Sequence, residues 1–98
     1  MIGPHPPIHP GEILREEFLT PLALKPYTVA KALGVPRTRI ERLMREETPV
    51  TADTALRLGR FLGTGAEFWM NLQSSFDLAT AEGARPEIAE IKPHQVAA

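Results

Sequence analysis

Apolar residues recur along this chain at helical spacing, in short blocks closed by proline or glycine. After Pro10-Gly11-Glu12, the residues Ile13, Leu14 and Phe18 share one face of a first helix. Pro10 sits near its first position, Glu12 and Glu16 lie toward the positive end of its dipole, and Pro21 ends it. Pro26 starts a second helix carrying Tyr27, Val29, Ala30 and Leu33, and Gly34 supplies a left-handed stop. Pro36 starts a third, with Ile40, Leu43 and Met44 as its buried stripe, and Pro49 closes it. Thr51 caps a fourth helix whose inner face is Ala52, Ala55, Leu58 and Leu62, ended by Gly63. Thr64-Gly65-Ala66-Glu67 reads as a capping box, with Thr64 at N-cap and Glu67 at N3. A fifth helix then runs from about Gly65 to Glu82, with Phe68, Trp69, Leu72, Phe76 and Ala79 along one stripe.

No stretch alternates with period two, and there is no internal repeat. The prediction is therefore an all-α, five-helix domain over residues 10–82. Residues 1–9 precede it as an extended arm, since the prolines that crowd this end deny it helical hydrogen bonds. Residues 83–98 follow as a short tail that either frays or docks Ile88 to Ile91 as an extended segment.

The second and third predicted helices are separated only by Gly34 and Val35. Two short helices crossing at so tight a turn need a small residue at the crossing, a residue tolerant of positive φ, and apolar residues pointing into the angle. Ala30, Gly34, Ile40 and Leu43 meet those needs in order, with Val29, Leu33 and Val35 completing the inner side. The segment Lys25 to Arg45 is thus a helix-turn-helix. The outward positions of its second helix are Arg37, Thr38, Glu41, Arg42 and Arg45.

Charge sharpens this picture. The chain carries a formal net charge of -1, which by itself argues against a nucleic-acid partner. Yet Lys25, Lys31, Arg37, Arg39, Arg42 and Arg45 face only Glu41 within that segment, a local basic patch. Arginine makes bidentate bonds to guanine, and threonine offers a hydroxyl and a methyl. Arg37, Thr38 and Arg42, on the N-terminal outward part of the helix, are the expected base contacts. Lys25, Lys31, Arg39 and Arg45 flank them as expected phosphate contacts.

Composition removes other classes. A chain of 98 residues forms one core. It has no cysteine, which excludes disulfides and thiolate zinc sites. No apolar run approaches the roughly 20 residues that span a bilayer. The proline-rich start has no basic n-region and is not a secretory signal, so a cytoplasmic location without membrane association is expected. His5, His9 and His94 lack further ligands at metal-binding spacing. Glu16-Glu17 and Glu46-Glu47 have no nucleophile beside them. Neither a cofactor nor an enzyme is expected.

Four segments in this order carry a family resemblance: His9-Pro10-Gly11-Glu12-Ile13-Leu14, Ala30 to Pro36, Thr51 to Leu58 (TADTALRL) and Glu67 to Gln73 (EFWMNLQ). Together they resemble the HigA/VapI antitoxins, within the phage-repressor-like (XRE) helix-turn-helix class, over about His9 to Glu82. The resemblance implies a homodimeric antidote of a type II toxin-antitoxin module. Such an antidote binds a RelE-like mRNA endonuclease of the HigB type and represses its own promoter at a palindromic operator. It also implies that base edges are touched from the positions of Arg37, Thr38 and Arg42. Two departures stand out. Related repressors often begin the second helix with Ser or Thr, then Gln, where this chain has Lys25 and Pro26. The Ser or Thr usual before the reading helix is here Pro36.

A repressor with one reading helix gains specificity by pairing half-sites, roughly 34 Å apart. The stripe of Phe68, Trp69, Leu72 and Phe76 is the expected dimer contact, Leu72 and Phe76 foremost. Toxin binding is expected to use the first helix and the arm, which have no other evident task. Two rivals remain at this level: a stand-alone repressor of the same fold, which an adjacent short basic reading frame would argue against, and a module that only neutralises a toxin, which salt-dependent DNA binding would argue against.

Overall fold

The computed structural model describes residues 6–95, and His5 lies outside them. A single α-turn, α1 (Pro10–Ile13), runs without a break into a π-helical stretch, Leu14–Leu19. There the Thr20 N–H donates to the Arg15 carbonyl at 3.0 Å, and beyond it the Leu24 N–H donates to the Leu19 carbonyl at 2.8 Å. Both bonds span five residues. The wider turn changes which side chains face inward. Leu14 and Leu19, five apart, are buried, whereas Ile13 and Phe18 are only partly so. The face expected from a 3.6-residue period is corrected by that one inserted step.

The helix α2 (Pro26–Leu33) ends at Gly34, whose φ of 73° lets the Val35 N–H return to the Ala30 carbonyl at 3.0 Å. After Pro36 in extended conformation, α3 (Arg37–Met44) buries Ile40 and Leu43 against Val29, Ala30 and Leu33 of α2. The helix α4 (Ala52–Leu62) is capped by the Thr51 hydroxyl, which accepts from the Thr54 N–H. Ala55 and Leu58 are buried and Leu62 partly so, but Ala52, expected inside, is exposed at the first turn.

The entrance to α5 (Ala66–Ala84) differs from expectation. Its N-cap is Gly65 with φ of 83°, and no side chain caps it. The Thr64 hydroxyl instead donates to the Gly65 carbonyl at 3.0 Å, so the capping box does not form. The cause is close packing. A Cβ on Gly59 would fall 2.4 Å from the Gly65 carbonyl carbon, so the α4–α5 corner is closed backbone against backbone. Further along, the Gln73 carboxamide oxygen accepts from the Val50 N–H at 2.7 Å, tying α5 to the loop before α4.

Trp69 sits at the centre. Its ring is fully buried, with Phe18 at 5.4 Å and Phe68 at 5.1 Å between centroids. It therefore offers no surface to a second molecule, and its expected place at a dimer contact is corrected. Burying a side chain of this size contributes more than any aliphatic in the core. The tail neither frays at once nor docks as an extended segment. Pro86–Glu90 forms an exposed 3-10 helix just beyond α5.

Candidate nucleic-acid interface

The side chains of Arg37, Thr38, Arg39, Arg42 and Arg45 are all exposed, because burial of Ile40 and Leu43 turns the opposite side of α3 to solvent. Arg37 Nε lies 3.5 Å from Glu41 Oε2, one turn along the same helix. Arg45 pairs with Glu47 at 3.0 Å just past the end of α3. Among the described residues, Arg42, Lys25 and Lys31 pair with no carboxylate. Lys25 occupies the N-cap of α2 and Lys31 lies in its last turn, both exposed. An open cleft of about 490 Å³ separates α3 from the start of α4, with Thr38, Arg39, Arg42, Thr48, Thr51 and Asp53 along its walls.

Both ends of α3 are held. At the N-terminal half, Arg39 Nη1 donates to Asp53 Oδ2 at 2.6 Å. The same oxygen accepts from Arg57 Nε at 3.0 Å, and Arg57 Nη1 donates to the Leu33 carbonyl at 2.8 Å. One chain of bonds thus links the end of α2, α3 and the start of α4. The hydrogen bonds from Arg57 and then Arg39 hold the Asp53 carboxyl below its usual range.

At the other end, the Arg15 guanidinium donates to the Met44 carbonyl, one of the carbonyls that α3 leaves without a helical partner. Glu16 at 2.8 Å and Glu46 at 3.4 Å hold the same guanidinium, and Glu16 foremost raises its pKa. Beside it, the first turn of α1 lies directly on the last turn of α3. A Cβ on Gly11 would fall 1.8 Å from the Leu43 carbonyl oxygen. His9 completes this joint. Its Nδ1 accepts from the Gly11 N–H at 2.9 Å, and its ring meets Phe76 edge-on at 4.8 Å. Burial pushes the imidazole pKa below 6.5, against the opposing pull of Glu46 and Asp77.

Sequence reasoning missed Arg15, Asp53 and Arg57 as supports of α3. The four-residue step from Asp53 to Arg57 was a readable signal, since such pairs meet on one helix face. Nothing local announced the longer reaches of Arg15 and Arg39. Of the expected dimer residues, Leu72 and Phe76 are half-buried and line a small apolar groove with Pro7, Ile8, Ile13 and Ser75. Phe68 is partly exposed beside Phe18. Among the described residues, no group of three or more His, Cys, Asp or Glu is placed to hold a metal ion, and no helix is long and apolar enough to cross a membrane.

No protein-family model matches the chain. Virulence-associated protein I of Dichelobacter nodosus is 50% identical over 88 residues, covering 90% of this chain and 82% of that protein. The Pseudomonas aeruginosa antitoxin HigA, solved with the higBA promoter, superposes with a TM-score of 0.84 at 47% identity, over 91% of this chain and 99% of the other. The chain belongs to the HigA/VapI family of antitoxins. A second solved structure, a Pseudomonas aeruginosa chain in complex with its 18-bp operator DNA, matches with a TM-score of 0.87 at 47% identity, over 92% of this chain and 97% of that one. The HigA/VapI chain described here thus has the all-α, five-helix, phage-repressor-like fold expected of it, with an XRE-type helix-turn-helix formed by α2 and α3.

Proposed function

We propose that this HigA/VapI chain is the antidote of a type II toxin-antitoxin module, which neutralises a HigB/RelE-like mRNA endonuclease and, as a homodimer, represses its own operon. The observation that carries the DNA-binding half is the exposed basic face of α3, buttressed at both ends, above a buried Ile40 and Leu43. The solved Pseudomonas aeruginosa complexes of this family, with an operator and with the higBA promoter, support the same use here. Arg37, Thr38 and Arg42 read base edges in the major groove. Lys25, Lys31, Arg39 and Arg45 meet phosphates. The dimer pairs two reading helices about one DNA turn apart, through the Leu72 and Phe76 face of α5. The toxin partner rests on the family alone.

The test separates the two groups of contacts. Arg37→Ala or Arg42→Ala should cost about 1–3 kcal/mol per half-site and relax preference at one base pair. Lys31→Ala should weaken binding to every sequence alike and reduce the salt slope by about one unit. Fluorescence anisotropy on the promoter duplex and on a scrambled duplex, across a salt series, reads both. Equal losses on the two duplexes for Arg37→Ala and Arg42→Ala would show that α3 reads no bases.

A further inference from the structure

The Arg39–Asp53–Arg57 chain does more than add surface charge. Exposed ion pairs stabilise folds little, so its arrangement calls for another account. First, Asp53 places a carboxylate on the wall of the cleft where a DNA-binding surface would favour a neutral or basic residue. Second, one oxygen, Oδ2, accepts from both arginines, so moving either guanidinium disturbs the other. Third, Arg57 is fixed in turn by the Leu33 carbonyl at the end of α2, which gives the chain an anchored origin in the backbone.

Arginine has five N–H donors in a rigid fork. With Nη1 committed to Asp53, the guanidinium of Arg39 has one settled orientation, and its remaining donors stay available beside Thr38 and Arg42 on the same cleft. A flexible arginine meets a phosphate anywhere within its reach. A fixed one meets it at one place, and a phosphate contact at one place sets the register of the whole helix on the duplex.

We propose that Asp53 is a positioning residue for operator recognition, holding Arg39 in the single orientation that sets the register of α3 on DNA. This rests on the DNA-binding reading above. It carries an unusual signature, because removing a negative charge beside DNA should by electrostatics alone strengthen binding. Positioning predicts the opposite for the operator. In Asp53→Ala, affinity for the promoter duplex upstream of the chain's own reading frame falls roughly tenfold. Affinity for a scrambled duplex of equal length stays level or rises. Asp53→Asn, which keeps an acceptor oxygen in place, falls between the two. In an Arg39→Ala background, Asp53→Ala causes no further loss on the operator, as a double-mutant cycle requires of coupled residues.

Both affinities are measured by anisotropy at one salt concentration, with thermal melts showing each variant folded at the assay temperature. Operator affinity that rises in Asp53→Ala together with scrambled affinity overturns the proposal. So does a parallel fall on both duplexes, or an unchanged loss from Asp53→Ala when Arg39 is already alanine. A wild-type chain with no preference for its promoter duplex overturns instead the DNA-binding reading on which the proposal stands.

Discussion

Replacing Gly11 by alanine tests the joint between α1 and α3. The added methyl would lie 1.8 Å from the Leu43 carbonyl oxygen and 2.9 Å from its carbonyl carbon. An aliphatic carbon rests about 3.3–3.6 Å from such an oxygen, so the two backbones must part by roughly 1.5 Å. The obstacle is main chain at the end of α3 and no side-chain torsion relieves it. Overpacking of this kind costs about 1–3 kcal/mol, and the absence of a flexible neighbour puts Gly11→Ala at the upper end, about 2–3 kcal/mol. For a domain of this size that lowers Tm by on the order of 10–20 °C. The reference is the same substitution at Gly83, near the end of α5, where nothing lies within 4 Å. There alanine should leave stability unchanged or raise it by up to about 1 kcal/mol through helix propensity. Thermal melts followed by circular dichroism compare the two. If Gly11→Ala melts within about 3 °C of the wild type, the contact of α1 on α3 is not tight and the account of this joint fails.

Other outcomes follow from the same contacts. Because His9 Nδ1 accepts from Gly11 only when unprotonated, and burial lowers its pKa below 6.5, the unfolded chain takes up the proton more readily. Stability should therefore be intact above about pH 6.5 and fall below it through the lower folded value, by at most about 1.4 kcal/mol per pH unit for this one proton. Urea unfolding over that range should show a shallower fall in His9→Asn; identical profiles would remove His9 as the cause. Trp69→Ala should cost about 3–5 kcal/mol and Phe68→Ala clearly less, since Phe68 keeps 38% of its surface in solvent; similar costs would contradict the central place given to the indole. If the chain is the proposed homodimer, Leu72→Asp should give a monomer by light scattering while the far-ultraviolet circular dichroism is retained, and a persistent dimer would move the proposed interface away from α5.

Much of this architecture is local, and local features were legible in order along the chain. Gly34 and Gly63 stop their helices in left-handed conformation where the spacing placed them. Pro10, Pro26 and Thr51 start theirs, and Ile40 and Leu43 turn the arginines of α3 outward. Each of those outcomes depends on residues within a turn or two of one another, where propensity and periodicity act directly. Tertiary structure decided the rest. Whether Trp69 filled the interior or faced a partner depended on the space left between α5 and the π-helical stretch, which no single stripe specifies. Thr64 lost its capping role because the backbone of Gly59 meets that of Gly65. The first helix, expected to have no task besides a partner, also holds the end of α3 through Gly11 and Arg15. Arg39 found its carboxylate fourteen residues away on another helix. A long side chain on a helical surface has many partners within reach, and only the packed positions of the helices select among them.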